Sequence, residues 1–347
     1  MVAQPMTESP AGAATQAEPL LQVEDLRVSF STPRGRVTAV NGLSFEINPG
    51  ETVAVLGESG SGKSVTAQTI MGLLPRHSSR IDSGRVLYRG VDLLTKPIEY
   101  TRKLCGPEIA MVFQDPLSSL NPVFRVGQQI GEMLRRQTGA SRRECRDHAI
   151  ELMRRVGIPA AEKRVDDYPH QFSGGMRQRV MIAMALSRSP RLLIADEPTT
   201  ALDVTVQAQI MALLGRLQEE EGMALMLITH DLGVVADVAD RAVLMYAGNA
   251  VETGPIREVY DHGAHPYSVG LMASVPDLLD RQERLTPIKG SPPDLLNLPS
   301  GCPFHPRCPF ATQTCVEVTP PLRPAPGRPA GHDTACHHAE EVLSHGR

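Results

Sequence analysis

Gly57-Glu58-Ser59-Gly60-Ser61-Gly62-Lys63-Ser64 follows Thr52-Val53-Ala54-Val55-Leu56 and precedes Val65-Thr66-Ala67-Gln68-Thr69-Ile70. The leading run is nearly all apolar, as a strand buried on both faces of a parallel sheet should be. The octet is a complete G-x-x-x-x-G-K-S, and its place between a buried strand and a helix is the context that gives the motif its meaning. Its glycines let the backbone curl so that successive N–H groups face a phosphate chain. Lys63 supplies positive charge to the β/γ-phosphates, the Ser64 hydroxyl can coordinate Mg²⁺, and the helix N-terminus adds partial positive charge. Gly57, Ser59, Gly60, Ser61, Gly62, Lys63, Ser64 and Val65 are therefore the expected phosphate-binding set. An ordinary Gly-rich turn is the bland alternative.

Working outward, Leu192-Leu193-Ile194-Ala195-Asp196-Glu197-Pro198 gives a second buried strand ending in two acids. Asp196 then sits at the carboxyl edge of a central strand, where open α/β sheets bind ligands. It would hold Mg²⁺ largely through water. Glu197, one step further, is the candidate base for an attacking water. Further strands are expected at 224–229 and 243–248, short alternating strands from Leu21 and near Leu87, and helices over 125–160 and 204–220. Strand–helix alternation of this kind predicts a three-layer α/β core.

The chain has 347 residues, with 35 Lys+Arg against 39 Asp+Glu and a formal charge of −4. That balance argues against an electrostatic nucleic-acid binder. No run of about 18 apolar residues predicts a membrane span, and the start lacks an export-signal pattern. A cytoplasmic protein is expected. Residues 1–20, rich in Ala, Pro, Ser, Thr and Gln, read as a disordered tail. Beyond about Pro255 the chain turns Pro-rich and irregular.

Phe172-Ser173-Gly174-Gly175-Met176-Arg177-Gln178 is a second anion-binding pattern at a helix start. For one nucleotide it is redundant, and it makes sense if it completes a partner's site. This stretch resembles the signature of ATP-binding cassette (ABC) ATPases. The resemblance implies a RecA-like P-loop core with an antiparallel β subdomain and a helical signature subdomain at about 117–175. It also implies two cassettes meeting head to tail around two ATP, with Ser173, Gly174 and Gly175 acting in trans. Gln114 matches the family's Mg²⁺- and γ-phosphate-sensing glutamine, Ala201-Leu202-Asp203 its D-loop, and His230 its switch histidine. The catalytic pair implied is Glu197 with His230, and the Mg²⁺ set is Ser64, Gln114 and Asp196. Phe30 is nearest to the adenine-stacking aromatic. Leu117 to Phe124 fall where the family receives the membrane subunit's coupling helix.

The match is closer still to ATPase subunits of dipeptide and oligopeptide importers, on GESGSGKS, MVFQDPLSSLNP, HQFSGGMRQRVMIAMAL and LLIADEPTTALDVTVQAQI. His265-Pro266-Tyr267 and the Gly301–Phe310 segment match that subgroup's tail. The resemblance favours the D-type subunit and implies an F-type cassette partner and two permease subunits. It also implies an extracytoplasmic peptide-binding protein acting through them, and a peripheral place on the cytoplasmic membrane face. The expected division is a cassette over 21–258 and an importer-type extension over 259–347. Nickel or glutathione cargo, or a soluble non-transport cassette, are the alternatives.

Cys302, Cys308, Cys315 and Cys336 crowd the final 46 residues, separated by five, six and twenty residues. Four thiolates can close a zinc site or hold a [4Fe–4S] cluster. The absence of tight two-residue pairs favours iron–sulfur, and the importer resemblance implies the same; zinc and unmetallated thiols stay open. His305, His332, His337 and His338 could substitute as ligands, but read first as solvated surface residues. Distance in sequence from the phosphate motif suggests a structural role for any cluster held there, such as joining two tails. Cys105 and Cys145 receive no role.

Overall fold

The computed structural model describes residues 18–274 and 288–345, so residues 1–17 of the expected tail lie outside the described residues. Two sheets organise the chain. The first is antiparallel and four-stranded, ordered β2-β1-β4-β5, from β1 (Leu21–Thr32), β2 (Gly35–Ile47), β4 (Ser79–Tyr88) and β5 (Val91–Asp92). The stretch STPRGR, an apparent insertion, is the tip of the β1–β2 hairpin, where Thr32 pairs with Gly35.

The second sheet joins β3 (Thr52–Leu56), β6 (Ile109–Val112), β7 (Leu192–Asp196), β8 (Ala224–Thr229), β9 (Arg241–Tyr246) and β10 (Asn249–Pro255). The strands β9-β3-β8-β7-β6 run parallel, and β10 closes antiparallel on β9. Its central strands are apolar throughout because both faces are covered. Side-chain alternation assigns each face its own core. Ala54, Leu56, Leu193, Ala195, Leu225 and Leu227 face the helical side. Val53, Val55, Leu192, Ile194, Met226 and Ile228 face the side roofed by the antiparallel sheet and the helix Lys63–Ile70.

The predicted helical region divides into Val126–Thr138 and Arg142–Arg155. Gly139, at φ +70°, ends the first, and a capping box of Ser141 with Glu144 starts the second. The helices cross where Gly131 admits the Cys145 backbone, so Cys145 is an interface packing residue.

After Pro255 the chain returns to the core. Two two-residue strands, β11 (Arg323–Pro324) and β12 (Asp333–Thr334), extend the main sheet at β10, giving the order β11-β12-β10-β9-β3-β8-β7-β6. Phe304 packs edge-on against Tyr246 of β9 and Tyr267, with ring centroids 5.2 and 5.5 Å apart. His332 corrects the surface expectation: it is fully buried, with Nε2 2.7 Å from the equally buried Glu252. No helix among the described residues is long and apolar enough to cross a membrane.

Candidate functional site

The phosphate motif forms the bend between β3 and the helix Lys63–Ile70. Only glycine suits its two tightest points. A Cβ on Gly57 would lie 2.2 Å from the Met245 carbonyl oxygen, and one on Gly62 would lie 2.4 Å from that of Ala39. Both residues have positive φ, +148° and +103°. The loop floors a cleft of about 660 Å³ lined by Phe30, Val37, Gln114, Glu197, His230 and Leu295, among others. Phe30 thus lines the same cleft as the phosphate loop. Leu295, which the sequence did not suggest, reaches the same wall from the C-terminal segment.

The predicted acids arrive at the carboxyl end of β7. Ser64 Oγ donates to Asp196 Oδ1 at 2.9 Å, setting two hard oxygen donors side by side. Burial raises the Asp196 carboxyl above its ordinary range, opposed by the Ser64 hydrogen bond and the Lys63 charge. A buried carboxylate beside a hydroxyl suits a divalent cation that keeps most of its water. Lys63 Nζ, itself buried, donates to the carbonyls of Gly57 at 2.7 Å and Glu58 at 3.0 Å. Burial lowers its pKa, while Glu197, Asp196 and Glu58 pull the other way.

Glu197 has φ +45°, an uncommon conformation for a side-chain-bearing residue and a mark of a constrained site. Its Oε2 accepts from Gln114 Nε2 at 2.7 Å and from Thr200 Oγ1 at 3.0 Å. Its Oε1 lies 3.5 Å from His230 Nδ1. The carboxylate therefore has one oxygen held and the other turned toward the histidine, a suitable posture for accepting a proton from water. Thr200 was not singled out in the sequence, although its place in the turn after Glu197 could have been.

Ser173 caps the helix Gly174–Leu186, its hydroxyl accepting from the Met176 N–H at 3.3 Å. Ser173 and Gly174 are exposed and do not line the cleft, and Gly175 is half-buried against Val206. One chain does not bring this second anion pattern to the first. Val123 and Phe124 are also exposed.

The tail approaches the motif, although the two lie far apart in sequence. Arg307 donates from Nη1 and Nη2 to the two carboxylate oxygens of Glu58, at 2.7 and 3.0 Å. Tyr267 Oη accepts from the Glu58 backbone N–H at 2.8 Å. His265 is the buried N-cap of the helix Pro266–Met272, its ring Nδ1 accepting from the Tyr267 N–H, and burial lowers its pKa to about 3.

The four tail cysteines are free, and Cys302, Cys315 and Cys336 are buried. Burial raises Cys308 to about 11 and Cys336 to about 12, with mutual repulsion among the thiolates adding to both. The arrangement of the described side chains gives the expected metal centre no support. Among the described residues, no group of three or more His, Cys, Asp or Glu side chains is arranged to hold a metal ion. The nearby histidines are engaged with oxygens: His305 with the Cys302 carbonyl, His337 with that of Val318, and His338 with Thr312 Oγ1.

Residues 40–200 match the family model described as ABC transporter, and residues 251–315 match that of the oligopeptide/dipeptide transporter C-terminal region. A protein of Brucella abortus (strain 2308), with the provisional name of peptide import ATP-binding protein, is 53% identical over 316 residues. The alignment covers 88% of this chain and 94% of that protein. A second protein from that strain, provisionally named alike, is 52% identical over 310 residues, covering 89% and 93%. Among solved structures, the ADP- and phosphate-bound dimer of the cassette MJ0796 matches with TM-score 0.61 and 27% identity, covering 68% of this chain and 99% of that one. CbiO1 of Clostridium perfringens, part of the ABC transporter complex CbiONQ, matches with TM-score 0.59 and 31% identity, covering 70% and 90%.

Proposed function

The chain belongs to the ABC transporter family, among the peptide import ATP-binding proteins, and on that footing we propose how its site works and what it drives. It is an ATPase that supplies energy to peptide import. The observation that carries the mechanism is the convergence of Ser64, Asp196, Glu197, Gln114 and His230 on one cleft above the phosphate loop.

The N–H groups from Gly60 to Val65 bind the β- and γ-phosphates, with Lys63 adding charge. Ser64, Asp196 and Gln114 would hold Mg²⁺, which when bound neutralises charge on the β/γ oxygens. Glu197 takes a proton from the attacking water. The water oxygen bonds to the γ-phosphorus as the bond to the β,γ-bridging oxygen breaks, releasing ADP and inorganic phosphate. Gln114 and Thr200 fix the carboxylate, and His230 contacts the γ-phosphate. Exposed Ser173 and Gly174, with Gly175, serve the second nucleotide of a head-to-tail cassette pair.

The finer reading is a D-type subunit with a cassette over 21–258 and an extension over 259–347. It pairs with an F-type cassette on the cytoplasmic membrane face. The complex includes two permease subunits fed by an extracytoplasmic peptide-binding protein, and the coupling helix of one docks near Leu117–Phe124; exposed Val123 and Phe124 support that placement. Affinity capture from solubilised membranes should recover two multi-span proteins and a second cassette. Recovery of soluble partners alone would favour a non-transport ATPase, and nickel- or glutathione-stimulated turnover another cargo.

The [4Fe–4S] reading of Cys302, Cys308, Cys315 and Cys336 rests on donor chemistry. Four cysteines within the final 46 residues supply the thiol set such a cluster needs, and the His338 N–H points at Cys336 Sγ at 3.4 Å. Anaerobic purification should yield about four irons and four sulfides per chain. Zinc, or neither metal, would overturn this reading.

A further inference from the structure

Glu58 lies inside the phosphate loop, yet its backbone N–H and its carboxylate are both held from the C-terminal segment. The peptide unit joining Gly57 to Glu58 is trans, so its C=O and N–H point in opposite directions. Lys63 Nζ donates to the C=O at 2.7 Å, and Tyr267 Oη accepts from the N–H at 2.8 Å. One peptide plane is thereby gripped between the phosphate-binding lysine and the tail.

Arg307 supplies the anchor on the Glu58 side chain. Its own side chain is 5% exposed, and every guanidinium nitrogen has a partner: Nε the Lys289 carbonyl, Nη1 Glu58 and Tyr246 Oη, Nη2 Glu58. It also lies over the rings of Tyr246 and Phe304, 5.8 and 5.9 Å from their centroids. A planar fork held on all sides cannot follow a moving loop, so it fixes the loop instead.

We propose that Tyr267 and Arg307 are positioning residues for ATP: they hold the Gly57–Glu58 peptide so that Lys63 stays aimed at the phosphates. This rests on the reading of Gly57–Ser64 as the ATP-phosphate site. Loosening the grip leaves the loop free to rotate its peptides, so ordering it again falls on nucleotide binding. The chemical step, which depends on Glu197 at the other side of the cleft, is little changed.

The test uses the full chain, Mg-ATP titrations and steady-state turnover. Tyr267→Phe removes one hydroxyl with almost no change of shape and should raise the ATP Kd and KM about fivefold, the scale of one hydrogen bond. Its kcat should stay within about twofold. Arg307→Lys should keep the fold and raise KM similarly, since an ammonium cannot bond both carboxylate oxygens in parallel. In a Glu58→Gln background, Arg307→Lys should add little, because both changes break the same contact. A fall in kcat or Tm with unchanged KM for both Tyr267→Phe and Arg307→Lys would reduce these residues to structural ones and overturn the proposal. Lys63→Ala run alongside separates the premise: retained ATP binding there would sink the phosphate reading itself.

Discussion

Arg307 and Glu58 stand 249 residues apart in sequence and form a two-pronged ion pair, Nη1 to Oε2 at 2.7 Å and Nη2 to Oε1 at 3.0 Å. The C-terminal segment is thus part of the nucleotide site's frame. Glu58 is a quarter exposed and the Arg307 side chain almost fully covered, so solvent screens the pair only from one side.

Truncation exposes that dependence. A chain ending at residue 274 loses Phe304 and Arg307 and uncovers Tyr246 and Tyr267, both fully buried. Two large aromatic surfaces would meet water, a loss of several kcal/mol. The truncated protein should melt well below the full chain and bind the apolar dye ANS. An unchanged melting temperature would show that the tail packs without consequence.

Asp196 shows function held at a cost in stability. Its folded carboxyl is raised by burial, so the stability linked to its proton is present at low pH and lost as pH rises through the folded value. At neutral pH the ionised group is therefore a cost. Asp196→Asn should keep the acceptor for Ser64, raise Tm at pH 7.5 in the absence of nucleotide, and abolish Mg-dependent ATP turnover. A lower Tm would contradict the burial argument.

His265 carries the opposite sign. Its folded pKa is about 3 against an ordinary 6.5, so its contribution is present above 6.5 and lost as pH falls from there toward 3. The slope is about 1.4 kcal/mol per pH unit inside that window. His265→Asn retains an N-cap acceptor for the Tyr267 N–H. The variant should be less stable at pH 7.5, from lost contact with Phe304, and the gap should narrow as pH is lowered to 5. Melts at several pH values read it directly; a constant gap would oppose the assignment.

Gly62→Ala tests the loop's geometry. The added methyl meets the Ala39 carbonyl at a backbone φ of +103°. Strain of about 1–3 kcal/mol, plus the steric clash, should lower Tm and remove measurable ATP binding. Normal ATP affinity in this variant would mean the loop is not held as described.

Much of this was legible in the sequence because short-range chemistry dictates it. The nearly all-apolar run Thr52–Leu56 before a complete G-x-x-x-x-G-K-S reads as a buried strand feeding a phosphate loop, and Leu192–Asp196 repeats the buried-strand pattern. Ser173, Asp203 and His265 stand where polar side chains cap helices, and each does so. How the tail packs was not legible, for an equally physical reason. Strands β11 and β12 have two residues each, too few for any periodicity, and exist only because β10 offers an edge. His332 read as solvated because nothing local announces Glu252, eighty residues earlier, as its partner. Arg307 looked like any basic residue between two cysteines until the fold set it beside Glu58. Long-range polar contacts of this kind leave no periodic trace.

The most direct test of the central claim compares wild type with Glu197→Gln for ATP turnover and ATP occupancy. The glutamine keeps the size and the hydrogen-bonding reach of the carboxylate but cannot take a proton from water. Turnover should fall by about 10²–10⁴-fold, the range for loss of a general base. ATP should still bind, and the unhydrolysed nucleotide should hold two cassettes together as a dimer on a sizing column. Hydrolysis at the wild-type rate would contradict the account, because the proton would then be leaving by a route that does not pass through Glu197.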